Sequence, residues 1–504
     1  MFGYRIRNAV IRSLRRLPPA AQGRGAPGAG PARRAKAPRA PDRKCGPSVR
    51  CARGVGLAAL LWANALAASA DRVDDYILAQ MRWQHIPGLS LAVVQDGKIL
   101  KAKGYGLANV ETGTPAAPET VYKIGSVSKQ FLAAGILLLV QEGRISLDDP
   151  IRSYLEDAPA AWKEITVRRL LTHTAGLVRE APGFDPFKVQ PDADVIKTAY
   201  PLPLRSPPGE KWEYSNVGYF ALAEIIHRVS GKPWEAFLAE RLFAPLRMTA
   251  TRTTTTTEIV SHRASGYAQS GGRRINAANW PALRPSGAFL STVTDLALWD
   301  AALSADAVLL PSSRTQMWTP VMLRSGTTYP YGFGWFLDDW QGHRRIHHDG
   351  GLPGFSSDFE RFAEDRLTVI ILVNIDNRDL RDVAVRVAGF YVPALVPIAA
   401  KPIPDTEPEV TAQIRAVLAG LAEGRLDTDR FTPAMASSLA GDVKAGFSGD
   451  LRRLGRIRSI ALLERKSDGA DQTYRYRLDY GNVILFVGCT INRTGKIARL
   501  SIQD

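Results

Sequence analysis

Apolar and polar positions change period several times along the chain, and each change marks an element. Residues 72–83 read as a helix. Leu89–Val94 and Ile99–Tyr105 read as strands joined across Asp96-Gly97, a dipeptide suited to a tight hairpin. Residues 127–142 are apolar nearly all round and stop at Gly143, which predicts a helix buried in a domain centre. From about 150 to 310 the pattern is mostly helical with loops, as in Gly218–Ser230 ended by Gly231, and the threonine run at 253–257 reads as a surface loop. Strands return at Tyr331–Asp338, Arg344–His348, Ser357–Phe362 and Leu367–Asn374, followed by a helix at 378–391. A segment that begins and ends in strands around a helical insertion predicts an α/β (α+β) fold. Its antiparallel sheet is closed by both ends of the domain and joined by a helical subdomain.

Five prolines (Pro393, Pro397, Pro402, Pro404, Pro408) make 393–408 read as a stiff linker. Beyond it, 409–504 reads as a small α+β accessory domain. Helical segments at 409–422 and 432–440 precede four strand-like runs at 457–466, 473–480, 482–491 and 495–502. Tyr474, Tyr476, Leu478 and Tyr480 alternate with Arg475, Arg477 and Asp479, so this meander has one apolar face and one wet face. No catalytic grouping is visible in it.

Charge changes the picture once it is counted by position. The whole chain of 504 residues carries +16, but residues 1–70 hold fourteen Lys/Arg and one acid, Asp42. The rest has 51 bases against 48 acids, so the folded part is not a polyanion binder by charge, and no nucleic-acid partner is expected. Residues 1–54 form a basic head, disordered by composition. The uncharged run 55–70 (VGLAALLWANALAASA) then fits a secretory signal peptide with Ala68-Ser69-Ala70 at its cleavage site. Its strongly apolar part is about 13 residues, short of the ~20 a membrane span needs, so no stable anchor is expected after cleavage. A signal peptide behind fifty residues implies a true start near residue 49 and a periplasmic or secreted product. Cys45 and Cys51 fall before the mature part, and Cys489 alone follows, which excludes a disulfide framework or a cysteine-rich zinc site there.

Three short motifs carry candidate chemistry. In Ser126-Val127-Ser128-Lys129 the i, i+3 spacing puts a hydroxyl and an amine on one helical face at the start of the buried helix. Helix N-termini favour developing negative charge, and a buried amine can accept the hydroxyl proton. The same residues also suit an N-cap with a snorkelling lysine. No other serine in the chain has Lys at its third following position. In Tyr214-Ser215-Asn216 a phenol and a carboxamide two apart suit proton transfer and the holding of a substrate carbonyl, or the orientation of Lys129. They equally suit a loop tyrosine with an N-cap asparagine. In His348-Asp349-Gly350-Gly351 paired glycines let a substrate backbone approach closely. His347 and His348, adjacent on a strand, point to opposite faces and do not converge on a metal.

The order SVSK, YSN, HDG resembles the three active-site elements of the serine β-lactamase and penicillin-binding-protein superfamily. The likeness is strongest to the branch with class C β-lactamases, D-alanyl-D-alanine carboxypeptidases, D-aminopeptidases and related esterases. Flanking stretches agree, among them HIPGLSLAVVQDGKI (85–99), LLTHTAGL (170–177), PSGAFLST (285–292) and HDGGLPGF (348–355), over roughly residues 72–392. The resemblance implies a β-lactamase-like fold at 71–392, Ser126 as acylated nucleophile, Lys129 as its proton-handling partner and Tyr214 as second acid–base. It also implies Asn216 as binder of the substrate amide and an oxyanion hole from the N–H groups of Ser126 and Gly351. Gly350 and His348 complete the substrate-binding wall. His173 matches too and reads as structural. No cofactor and no metal are expected. Relatives that hydrolyse β-lactams usually have Lys where this chain has His348, whose reference pKa near 6.5 leaves it mostly neutral. That favours esters, neutral amides and D-peptides, and predicts a limb in the pH profile near the histidine's pKa. A true β-lactamase or carboxypeptidase, and a weakly catalytic peptide-binding protein, are the rival readings.

Overall fold

A computed structural model of the chain describes residues 72–503 except 79, 83, 254–256, 271–272, 281–283, 288, 306, 397–400, 445–447, 449–450, 453–454, 469–470 and 481–483. The expected basic head and signal peptide, and most of the threonine run, lie outside the described residues. The chain divides into two compact units near residue 398.

In the first unit, strands β1 (Gly88–Gln95), β2 (Lys98–Asn109), β3 (Thr114–Pro115), β4 (Phe336–Trp340), β5 (His343–Leu352), β6 (Phe355–Phe362) and β7 (Leu367–Val373) form one sheet in the order β4-β5-β6-β7-β1-β2-β3. β1 runs antiparallel to β7, with Leu91 opposite Ile371, so the two ends of the unit close the sheet. The β1–β2 turn has positive φ at Asp96 (+53°) and Gly97 (+71°), the conformation for which that dipeptide is suited. The central strands are apolar on both faces because both are covered. Ala92, Val94, Ile370 and Leu372 join the larger core with Leu296 and Trp299, whereas Leu91, Val93, Val369 and Ile371 join a smaller core with Val383 and Val387.

The helical part lies on the first of these faces. Helix α1 (Lys129–Gln141) is buried from Lys129 to Leu139, as an all-round apolar helix must be. Gly135 permits its close packing, since a Cβ there would lie 2.6 Å from Leu238. Phe131 meets Phe243, Phe289 and Trp299 edge to face at 5.1–5.5 Å. Helix α2 (Asn216–Ser230) starts two residues earlier than its apolar pattern indicates and ends at Gly231 in the left-handed conformation. Helix α3 (Val293–Ser304) packs over β1 and β7, and α4 (Arg381–Tyr391) over β6 and β7.

Two expectations need correction. The strand expected at Tyr331–Asp338 is a strand only from Phe336. Before it the chain turns at Gly334 (φ +78°), where a Cβ would lie 3.0 Å from the Gln130 N, so the loop presses its backbone against α1. The proline-rich stretch 393–408 is also structured at both ends. Pro393–Leu395 forms a 3-10 turn that buries Leu395 in the first unit, and Pro408 is the first residue of helix α5 (Pro408–Ala422).

In the second unit α5 and α6 (Pro433–Lys444) accompany a four-stranded meander, β8 (Ser459–Asp468), β9 (Asp471–Asp479), β10 (Ile484–Ile491) and β11 (Ile497–Gln503). Tyr474, Tyr476, Leu478 and Tyr480 share its core with Cys489. Among the described residues no helix is long and apolar enough to cross a membrane.

Candidate active site

Ser126 lies in a 3-10 turn, Gly125–Ser128, that runs directly into α1. Glycines bring strand β5 against this turn. Gly125 has φ +52°, and a Cβ on it would lie 2.6 Å from the Gly351 N; a Cβ on Gly350 would lie 2.1 Å from the Ile124 O. Any larger residue would push the His348–Gly351 segment away from the serine. Lys129, one turn on, is fully buried. Its Nζ sits 3.1 Å from the Ser126 Oγ, donates to the Ser286 carbonyl at 2.9 Å, and lies 4.7 Å from the Tyr214 ring centroid. Burial drives its pKa well below the usual lysine range, and the nearby charges of Arg284 and Arg179 push the same way.

Tyr214 approaches from the loop before α2 and its phenol donates to the Ser126 Oγ at 2.9 Å. Burial raises its pKa above that of free tyrosine, so the phenol keeps its proton. The loop is held by its neighbours. Ser215, not Asn216, caps α2: its hydroxyl accepts from the Gly218 N–H at 3.2 Å and donates to the Val178 carbonyl at 2.7 Å. The Ser215 N–H donates to the His173 Nδ1 at 3.2 Å, and the Asn216 N–H to the Arg179 carbonyl at 2.8 Å. His173 is buried in a left-handed conformation (φ +57°), its ring 4.3 Å from that of Tyr214, and burial holds it neutral. It supports the tyrosine loop from behind. The side chain of Asn216 donates through Nδ2 to the Glu180 Oε1 at 2.6 Å, while its Oδ1 is buried and has no hydrogen-bond partner among the described residues.

His348 Nδ1 is 2.6 Å from the Asp349 carbonyl, which can only accept, so Nδ1 carries the proton. Nε2 then accepts from the buried Tyr331 phenol at 3.2 Å. Burial, aided by the charge of Lys129, pushes the imidazole pKa down to about 4. A limb near this histidine's pKa, as expected from the sequence, would therefore fall at acid pH. His347, facing the other way, meets Asp338 at 3.3 Å.

The structure thus places Ser126, Lys129 and Tyr214 in direct contact, with Asn216 and Gly350-Gly351 on flanking walls and His348 behind Tyr331. Four residues to which sequence reasoning assigned no role also stand here: Glu180, Arg284, Ser286 and Tyr331. Only Ser286 lay inside a quoted flank, PSGAFLST, as a stretch without a function. The others belong to loops whose course no local pattern reveals.

Comparison with known proteins adds four findings. The family model described as Beta-lactamase matches residues 73–390. A penicillin-binding protein of Bacillus subtilis strain 168 is 30% identical over 306 residues, covering 56% of this chain and 67% of that protein. Among solved structures, an octameric penicillin-binding-protein homologue from Pyrococcus abyssi is similar with a TM-score of 0.60 and 21% identity over 84% of this chain and 96% of that one. The D-amino acid amidase of Ochrobactrum anthropi SV3, complexed with D-phenylalanine, gives 0.55 and 24% over 66% and 98%. At these identities the two structures speak for the fold.

Proposed function

The chain belongs to the beta-lactamase family of serine hydrolases, and from that premise we propose that it forms an acyl-enzyme on Ser126 and hydrolyses esters, amides or D-amino-acid-containing peptides after export. The observation that carries this reading is the pair of contacts on one oxygen. The Ser126 Oγ has a protonated phenol at 2.9 Å and a lysine Nζ at 3.1 Å whose charge is disfavoured. With the phenol occupied as donor, the amine is the base left to take the serine proton.

Oγ bonds to the substrate carbonyl carbon as its proton passes to Lys129 Nζ. The carbonyl oxygen becomes an oxyanion facing the N–H groups of Ser126 and Gly351. Collapse breaks the bond to the amine or alkoxide, which leaves with the phenolic proton of Tyr214, and Lys129 passes the serine's proton on to the Tyr214 phenolate oxygen. In the second half water loses its proton to the same pair and attacks the acyl carbon; the acid departs and Ser126 regains its proton. A neutral His348 with its lone pair engaged supplies no positive charge for a substrate carboxylate. That supports esters, neutral amides and peptides over carboxylate-bearing β-lactams. Residues 71–392 would carry this chemistry, with 409–504 an accessory module.

The test is labelling by a fluorophosphonate, together with kcat/KM for a p-nitrophenyl ester and for a chromogenic cephalosporin, in the full chain and in Ser126→Ala. We expect a labelled serine, ester turnover dominating, and at least a ~10³-fold loss in the variant. Dominant cephalosporin turnover would instead make the protein a β-lactamase. N-terminal sequencing of the natural product checks export, with Asp71 expected as its first residue.

A further inference from the structure

Lys129 and Asn216 stand on different elements, yet one unbroken chain of contacts joins them. The Lys129 Nζ donates to the Ser286 carbonyl at 2.9 Å, and the Arg284 Nε donates to the Ser286 hydroxyl at 3.1 Å. The Arg284 Nη2 pairs with the Glu180 Oε2, and the other oxygen of Glu180 takes the Asn216 Nδ2–H at 2.6 Å. Arg284 is braced further by Phe184, whose ring centroid lies 4.8 Å from its guanidinium carbon. Resting on the Ser126–Lys129 reading above, we propose that Arg284 and Glu180 are positioning residues for acylation, clamping the base from one side and the substrate-binding asparagine from the other.

The residue types suit the task. The planar fork of arginine spends one N–H on Ser286 and another on Glu180, fixing both in one plane, which a lysine cannot do. The carboxylate of Glu180 only accepts, so it must face the Asn216 Nδ2. That leaves the Asn216 Oδ1, buried and with no hydrogen-bond partner among the described residues, as the free acceptor for a substrate N–H. An amide or amine substrate satisfies this atom, and an ester with no N–H near its carbonyl does not. The clamp therefore favours N–H-bearing substrates within the proposed range.

Charge gives the clamp a signature that packing alone would not. The charges that act on Lys129 are those of Arg284 and Arg179, which disfavour its ammonium, and of Glu180 and Asp349, which favour it. The rings of Tyr214 and Tyr219 lie against the amine, and the buried His173 and His348 feel its charge. Removing Arg284 should let Lys129 hold its proton to higher pH, while removing the charge of Glu180 should do the opposite.

The experiment follows the rate of Ser126 labelling by a fluorophosphonate from pH 5 to 10 in the full chain and in Arg284→Gln, Glu180→Gln and Arg284→Lys. The acidic limb should move up by about one unit in Arg284→Gln and down in Glu180→Gln. Arg284→Lys keeps the charge without the fork, so its limb should stay near that of the wild type. KM for an amide substrate should rise in both Arg284→Lys and Glu180→Gln with a smaller change in kcat. If Arg284→Gln fails to fold, the opposite shift in Glu180→Gln and the split in Arg284→Lys still decide the matter. Limbs that stay fixed, or that move the same way in the two charge-removing variants, overturn the clamp. A wild type that is not labelled overturns the Ser126 reading and the clamp with it, so the two failures are distinct.

Discussion

His347 and His348 are neighbours, yet strand β5 sends one to each side of the sheet, into two buried polar groups of different construction. On the front, Lys129 and Tyr214 meet Ser126 at 3.1 and 2.9 Å, and His348 meets Tyr331 at 3.2 Å and the Asp349 carbonyl at 2.6 Å, all between complementary donors and acceptors. Their charges are suppressed: burial leaves the amine and the imidazole disfavoured as cations and the phenol disfavoured as an anion. On the back, His347 lies among Arg345, Asp338, Glu360 and Arg381. Apart from the two short Arg345–Asp338 bonds at 2.7 and 2.6 Å, the pairs to Glu360 are longer, from 3.6 to 3.9 Å. Asp358 and Glu360 are both fully enclosed, and burial raises both carboxyl pKa values. The front is arranged so that a proton can move along hydrogen bonds. The back is a knot of opposite charges that ties β4, β5 and β6 to α4, with little slack for losing a member.

The difference predicts opposite responses to mutation. Tyr214→Phe should show the largest effect. It removes the donor on the Ser126 Oγ and should lower kcat/KM by ~10²–10⁴-fold while leaving the melting temperature almost unchanged. Arg345→Ala should do the reverse. It leaves Asp338 and Glu360 without their main cation and should destabilise the unit by about 3–5 kcal/mol in urea unfolding, with kcat/KM of the folded fraction changed less than tenfold. Equal losses of activity and stability in both variants would erase the distinction between the two faces.

The smallest effect concerns pH. The folded pKa of His348 is depressed to about 4 from a reference of ~6.5, so its contribution to stability is complete above pH ~6.5. It is lost as pH falls through about 4, a loss of roughly 3 kcal/mol across the window. Asp358 has the opposite sign: its raised pKa contributes at acid pH and is lost as pH rises above ~3.9. Urea unfolding of wild type and His348→Gln at pH 7 and pH 5 isolates the front histidine, since the variant should lose less stability on acidification. Activity in the wild type should show no limb from His348 between pH 5 and 8.

Much of this architecture could be read from local pattern. The Asp96-Gly97 hairpin, the fully buried helix after Ser126, the glycine stop at Gly231 and the inward tyrosines of β9 are all consequences of period, side-chain size and turn chemistry. The motifs around Ser126, Tyr214 and His348 were visible for the same reason, because each is short and sits at the end of an element. Glu180, Arg284 and Tyr331 were not visible. Glu180 meets Asn216 across 36 positions, Arg284 meets Glu180 across 104 and Tyr331 meets His348 across 17, and no periodicity encodes pairings of this kind.

The sequence by itself determined where most of the strands lie, which helix must be buried and which three motifs offer candidate reactive groups. All of these depend on neighbours within a turn or a hairpin. Only the tertiary structure decided protonation. Whether Lys129 holds its proton, which nitrogen of His348 carries one, and which way the Asn216 amide points depend on burial and on the charges of Arg284, Glu180 and Asp349. Those quantities scale with distance through space and with the loss of water, and neither is written in the spacing of residues along the chain.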